Sequence, residues 1–241
     1  IEIDITNSQT NYNLQVANNI SNATPVCIVA RIASGVTMQS TGTSPVFTSG
    51  NLHPNTRVGI LNNGDILARG GNGGAGNGIG GSSTGGAGQN GTDAINLTTH
   101  THIINNGKIF GGGGGGGSVG FVQSIPLGPT SLTLGIGSGG GGGSQLGTGG
   151  NIGTGLGYYS AGVSATGGVS SVPGAGGVLN TPINFAISVV NITLTPQVFG
   201  GNGGAYGIDG TQGTLTVNVL AQIAVPFVGT VTILNQAFPN P

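Results

Sequence analysis

Apolar and polar positions alternate with a period of two in several short stretches of this chain, and nowhere does a 3.6-residue helical spacing emerge. Ile1, Ile3 and Ile5 alternate with Glu2, Asp4 and Thr6, which predicts a strand with one apolar and one polar face. Leu14 and Val16 continue its packing. Residues 26–32 form a nearly continuous apolar run, the pattern of a strand covered on both sides. Residues 183–194, 215–223 and 228–234 are rich in β-branched residues, are bounded by Pro or Gly, and read as further strands. Abundant Gly, Asn, Thr and Val oppose helix. The expectation is an all-β fold with sandwich-like strands and essentially no α-helix.

The middle of the chain, residues 70–177, follows another rule. Of the 241 residues 54 are glycine, about three times the usual share of ~7%. Gly111, Gly112, Gly113, Gly114, Gly115, Gly116 and Gly117 are consecutive, as are Gly139, Gly140, Gly141, Gly142 and Gly143. Gly-Gly-Asn-Gly-Gly-Ala occurs at residues 70–75 and again at 200–205. The segment Ile60-Leu61-Asn62-Asn63-Gly64-Asp65-Ile66 is echoed by Ile103-Ile104-Asn105-Asn106-Gly107-Lys108-Ile109, and each copy runs into a glycine tract. Asn-Gly between aliphatics signals a tight turn. The repeated unit is therefore strand, turn, short strand, glycine run.

Ordering glycine is costly, on the order of 1–2 kcal/mol per residue. Extended three-residue-per-turn helices offset it only by packing side by side, because they make no internal hydrogen bonds. The two runs are expected to form the core of such a lattice, of polyglycine-II helices, both parallel and antiparallel. Collagen is excluded by the lack of a strict Gly-X-Y period and by only 11 prolines. Three regions are expected: residues 1–69 as N-terminal β, 70–177 as the glycine-rich region with inserted loops, and 178–241 as C-terminal β completing one compact unit.

The stretch Ile32-Ala33-Ser34-Gly35-Val36-Thr37, then residues 61–74 from Leu61-Asn62-Asn63-Gly64 to Gly73-Gly74, resembles the glycine-rich tip domains and adhesins of bacteriophage tail fibres. So does Ile104-Asn105-Asn106-Gly107-Lys108-Ile109-Phe110 with the seven glycines that follow. The resemblance covers residues 28–117 well and the later tracts loosely. It implies a sandwich of polyglycine-II helices, a non-catalytic role, and loops between the tracts that contact a bacterial receptor.

Charge narrows the function classes. Charged residues are 4% of the chain and the formal net charge is −1. The four cations, Arg31, Arg57, Arg69 and Lys108, are not clustered, which argues against nucleic-acid binding. No apolar run approaches the ~20 residues of a membrane span. Neither a signal peptide nor an initiator Met is present, so a processed form or an excised piece is expected. Cys27, the lone cysteine, is read as a buried small hydrophobe. No enzyme is expected: the five acids, Glu2, Asp4, Asp65, Asp93 and Asp209, are scattered and mostly beside turns. Gly71-x-Gly73-x-x-Gly76 lacks the following helix that dinucleotide binding requires. No cofactor is expected. His100 and His102 share one face of a predicted strand, and in a trimer three such pairs could enclose a transition-metal ion; two surface histidines are the preferred reading.

Two segments interrupting the glycine tracts carry the contact candidates. Phe121, Val122, Ile125 and Leu127 lie in one, Tyr158 and Tyr159 in the other, and each set is expected to meet a receptor or a neighbouring subunit. The leading expectation is an adhesive extracellular filament or fibre subunit that partners itself, donating its first strand through Ile1, Ile3, Ile5, Leu14 and Val16. The alternative is a phage tail-fibre tip adhesin, located on the virion tail, that binds a bacterial surface receptor.

Overall fold

The computed structural model describes residues 1–76, 85–127, 130–150, 157–160, 162, 164, 171–180, 182–187 and 190–223. The N-terminal strands arrive in sets. The first coil is β1 (Glu2–Ile5), β2 (Gln9–Thr10) and β3 (Tyr12–Asn13), followed by a single helical turn, α1 (Leu14–Ala17). Asn13 caps that turn by accepting the Val16 N–H on its side chain. The second coil is β4 (Cys27–Ile32), β5 (Thr37–Gln39) and β6 (Phe47–Thr48). The third is β7 (Arg57–Asn62), β8 (Asp65–Leu67) and β9 (Ile95–Asn96), and the fourth begins with β10 (His100–Asn105) and β11 (Lys108–Phe110).

Every pairing among these strands is parallel. Three sheets result, ordered β1-β4-β7-β10, β2-β5-β8-β11 and β3-β6-β9, so the chain winds as a three-sided solenoid. The N-terminal strands expected within a sandwich thus coil instead. Among the described residues of this region no antiparallel hairpin occurs, because each Asn-Gly turn passes the chain to the next sheet rather than back along the same one.

One face of each strand fills the coil. Ile3, Ala30 and Ile60 stack in register, as do Ile5 and Ile32, and all are buried with Leu14, Met38, Phe47 and Ile66 in one apolar cluster. Residues 26–32 are not covered on both sides. In β4 the burial alternates, and Cys27 and Val29 face solvent. The expectation of a buried Cys27 is corrected accordingly: its apolar neighbours at alternate positions lie on the opposite face.

The repeated Asn-Asn-Gly corners stack on one another. The buried Asn62 side chain donates to Asn105 Oδ1 at 2.7 Å and accepts the Gly64 N–H, while Asn106 donates to Asn63 Oδ1 at 3.0 Å. Polar side chains buried at the corner are thereby satisfied, as burial demands. On the outer face Arg31 bridges Glu2 at 2.9 Å and Asp4 at 3.6 Å, tying β1 to β4.

After β8 and β11 the chain leaves the coil in extended glycine tracts that bond to one another. Gly71 and Gly74 donate to the carbonyls of Gly113 and Gly116, in parallel. Gly143 and Gly140 donate to those of Gly71 and Gly74, in antiparallel. The bonds advance in steps of three residues throughout. Tract 139–145 is buried along its whole length and bonds to tracts 70–75, 111–118, 147–150, 173–177 and 200–205.

The approach is so close that a Cβ has no room. One on Gly113 would overlap the carbonyl oxygen of Gly204, on Gly115 that of Asn72, on Gly116 that of Gly201 and on Gly141 that of Gly174. Each obstacle is main chain, which cannot swing aside.

Candidate functional site

The direction of each tract fixes what lies at the two ends of this layer. Tract 111–118 starts at β11, on the solenoid side, and leads to β12 (Val119–Leu127). Tract 139–145 runs back from β13 (Thr130–Ser138), antiparallel to it. Tract 173–177 runs outward again to β15 (Val178–Leu179). Tract 200–205 returns from β17 (Val190–Phe199), and tract 207–213 leads out to β18 (Thr214–Ile223). The end far from the solenoid therefore carries all of these strands, together with β14 (Gly157–Ser160) and β16 (Ile183–Ile187).

The near end is built differently. Two of its connections, the 145–147 and 205–207 turns, are short and are tied to the coil. The ring of Phe110, at the end of β11, stacks on Tyr206 with centroids 4.6 Å apart, and Tyr206 donates its hydroxyl to Gln145 Oε1 at 2.8 Å. Gln145 is buried. One aromatic contact and one hydrogen bond thus join the last coil, the 205–207 turn and the 145–147 turn.

At the far end, β12, β13 and β14 form one sheet, in which β12–β13 is an antiparallel hairpin and β14 adds in parallel. The register sets Phe121, Ile136 and Tyr158 side by side, and Ile136 is buried. A second sheet is ordered β15-β17-β16, with β18 also pairing β17. The expected strand 183–194 is in fact divided between β16 and β17, and expected strand 228–234 lies outside the described residues.

The contact candidates are brought to this end by backbone: Phe121, Val122, Ile125 and Leu127 in β12, Tyr158 and Tyr159 in β14. Their side chains lie outside the described part of the structure. Two apolar residues that the sequence did not single out are exposed in the same neighbourhood: Val178 and Phe199. Val178 and Phe199 are register partners across β15 and β17, 50% and 41% exposed. Only β-strand alternation could have flagged them, and it does not say which face is open.

The other predicted positions fall elsewhere. Ile3, Ile5 and Leu14 are buried in the solenoid core, and β1 already pairs with β4 of its own chain, which places the proposed donor strand inside the fold. Ile1 and Val16 are exposed. His100 and His102 are exposed on the outer face of β10, and no group of three His, Cys, Asp or Glu side chains with metal-binding proximity occurs among the described residues. Among them, no helix is long and apolar enough to cross a membrane.

Glycine rows joined to a coil at one end and opening into strands at the other define a nearly all-β protein among the described residues. The chain belongs to the family described as Phage tail fibre adhesin Gp38, whose model covers residues 1–235. Neither the curated proteins nor the solved structures contain a match to it.

Proposed function

We propose that the chain is a non-catalytic tail-fibre tip adhesin of the virion, which binds a bacterial surface receptor through the strands at the far end of its glycine layer. The observation that carries this reading is the common direction of three tracts: 111–118, 173–177 and 207–213 all lead out to a strand at that end. Family membership supports the tip adhesin over a filament subunit. The burial of Ile3, Ile5 and Leu14 weighs against strand donation in the same way, since withdrawing β1 would open the core.

The glycine rows act as polyglycine-II helices in this reading. Support comes from the three-residue step of their hydrogen bonds, which matches a helix of three residues per turn. A scaffold of this kind loses no side-chain freedom, and its rigidity positions the strands it ends in. The division into 1–69, 70–177 and 178–241 becomes one of tasks: anchoring coil, rigid spacer with inserted loops, and the remainder of the receptor-facing surface. Tyr158, Tyr159, Phe199 and Val178 are the residues assigned to receptor contact, where aromatic side chains contribute most.

The test uses two double variants, Tyr158→Ala with Tyr159→Ala, and Val178→Ser with Phe199→Ser. Each is expected to reduce attachment of the purified protein to host cells at least tenfold, with thermal unfolding unchanged. Full attachment by both would reject this surface as the receptor site.

A further inference from the structure

Tract 111–118 has five hydrogen-bonded neighbours, and its sixth side is open. The N–H groups of Gly112 and Gly115 donate to tract 85–92, those of Gly113 and Gly116 to tract 139–145, and those of Gly114 and Gly117 to tract 207–213. Two carbonyl rows are answered as well. Gly113 and Gly116 accept from tract 70–75, and Gly114 and Gly117 from tract 200–205. The third row, Gly112 and Gly115, receives no donor among the described residues. Exposure repeats the same step: residues 112, 115 and 118 are half-buried, while 113, 114, 116 and 117 are buried.

Gly115 lies in a groove of about 200 Å³ running between the two flanking tracts. One wall holds Ala87, Gly88 and Asn90, the other Asp209, Gly210 and Thr211. The Thr211 hydroxyl is engaged by Asn202. The side chains of Asn90 and Asp209, and the N–H groups of Gly88 and Gly210, have no partner among the described residues. The groove thus offers a carbonyl and a carboxylate as acceptors and two N–H groups and an amide as donors. No Lys or Arg lines it.

Two kinds of occupant fit a slot between extended rows. A free glycine-like peptide could bond to the floor and both walls, but it would lose backbone freedom at every residue, which disfavours its association. A saccharide ring is already rigid, and each hydroxyl both donates and accepts. An anionic ligand would meet Asp209 with no compensating cation.

We propose that this groove binds a neutral saccharide, whose hydroxyls donate to the Gly115 carbonyl and the Asp209 carboxylate and accept from the Gly88 and Gly210 N–H groups and Asn90. The site is separate from the strands assigned to the receptor, and it stands whether or not those strands bind one.

The test is a titration of the full chain followed at the amide resonances of Gly88, Gly115 and Gly210. Methyl glucoside, N-acetylglucosamine, maltotriose and chitotriose are the neutral probes, galacturonate the anionic one, and a capped Gly-Ala-Gly peptide the third arm. Saturable shifts at these amides with at least one neutral sugar are expected, with galacturonate much weaker. Asp209→Ala should weaken the sugar about tenfold. Ala87→Trp, which fills the groove mouth, should abolish the shifts while the remaining resonances keep their folded positions. No saturable shift with any neutral sugar overturns the proposal, as does an equal response to galacturonate. Undiminished binding to folded Ala87→Trp, or shifts with the peptide alone, overturns it equally.

Discussion

The solenoid and the glycine layer solve the same problem with opposite materials. In the coil, backbone bonds run between parallel strands while side chains such as Phe47, Ile60 and Met38 fill the interior. In the glycine layer the rows are themselves the interior. Tract 139–145 is as buried as Phe47, yet five of its residues carry no side chain at all. The coil tolerates a change of shape in its core at a graded cost, because neighbouring side chains relax. The layer has no such reserve. Its neighbours are carbonyl groups held by bonds on several sides.

That contrast predicts different responses to single substitutions. The largest effect is expected at Gly141→Ala, whose one added methyl meets the Gly174 carbonyl inside the most enclosed row. Loss of the cooperative folded state is the expected outcome, read as absence of a thermal transition. Phe47→Ala should follow, destabilising the coil by about 3–5 kcal/mol through the cavity it leaves, measured by denaturant unfolding. Asn62→Ala comes next. It removes the shared corner of two coils, leaves the Gly64 N–H without its acceptor, and should cost about 1–3 kcal/mol.

The smallest effect concerns pH. The hydrogen bond from Arg31, and then its charge, hold the Glu2 carboxyl below the ordinary carboxylate value. A carboxyl with a lowered folded value contributes stability above its unfolded value, and that contribution is lost as pH falls through the folded one. Melting temperature should therefore decline slightly on acidification through the carboxylate range, and Glu2→Gln should reduce that slope. Both groups are exposed, so the change will be small.

The parts legible from sequence were those set by local spacing. The two Asn-Asn-Gly segments announced strand, corner, short strand and glycine run, and β7–β8 and β10–β11 reproduce that order. Alternation gave β1 with Ile3 and Ile5 on its buried face, while Ile1 precedes the strand and is exposed. The coil itself was hidden. Its parallel partners lie far apart in the chain, as Glu2 and Val29 or Cys27 and Arg57 do, and no local signal records the distance. Residues 26–32 misled because Cys27 and Val29 are apolar yet face outward. The far end was legible as apolar insertions between glycine runs. Its described exposed pair, Val178 and Phe199, depends on a register of β15 with β17 that only the fold supplies.

A sequence of identical residues offers the most direct test of the glycine layer. In the run 111–117 composition is constant, so any difference between positions reports packing alone. A Cβ on Gly111 meets nothing nearer than 3.9 Å, one on Gly114 meets the Gly210 nitrogen at 3.0 Å, and those on Gly112, Gly113, Gly115 and Gly116 overlap main-chain oxygens of other tracts. Single alanine variants at these six positions should be compared by thermal unfolding. Gly111→Ala is expected to melt at or slightly above the parent temperature, Gly114→Ala moderately below it, and the other four to fold poorly or not at all. A uniform, small response along the run would contradict close-packed rows and remove the basis of the account.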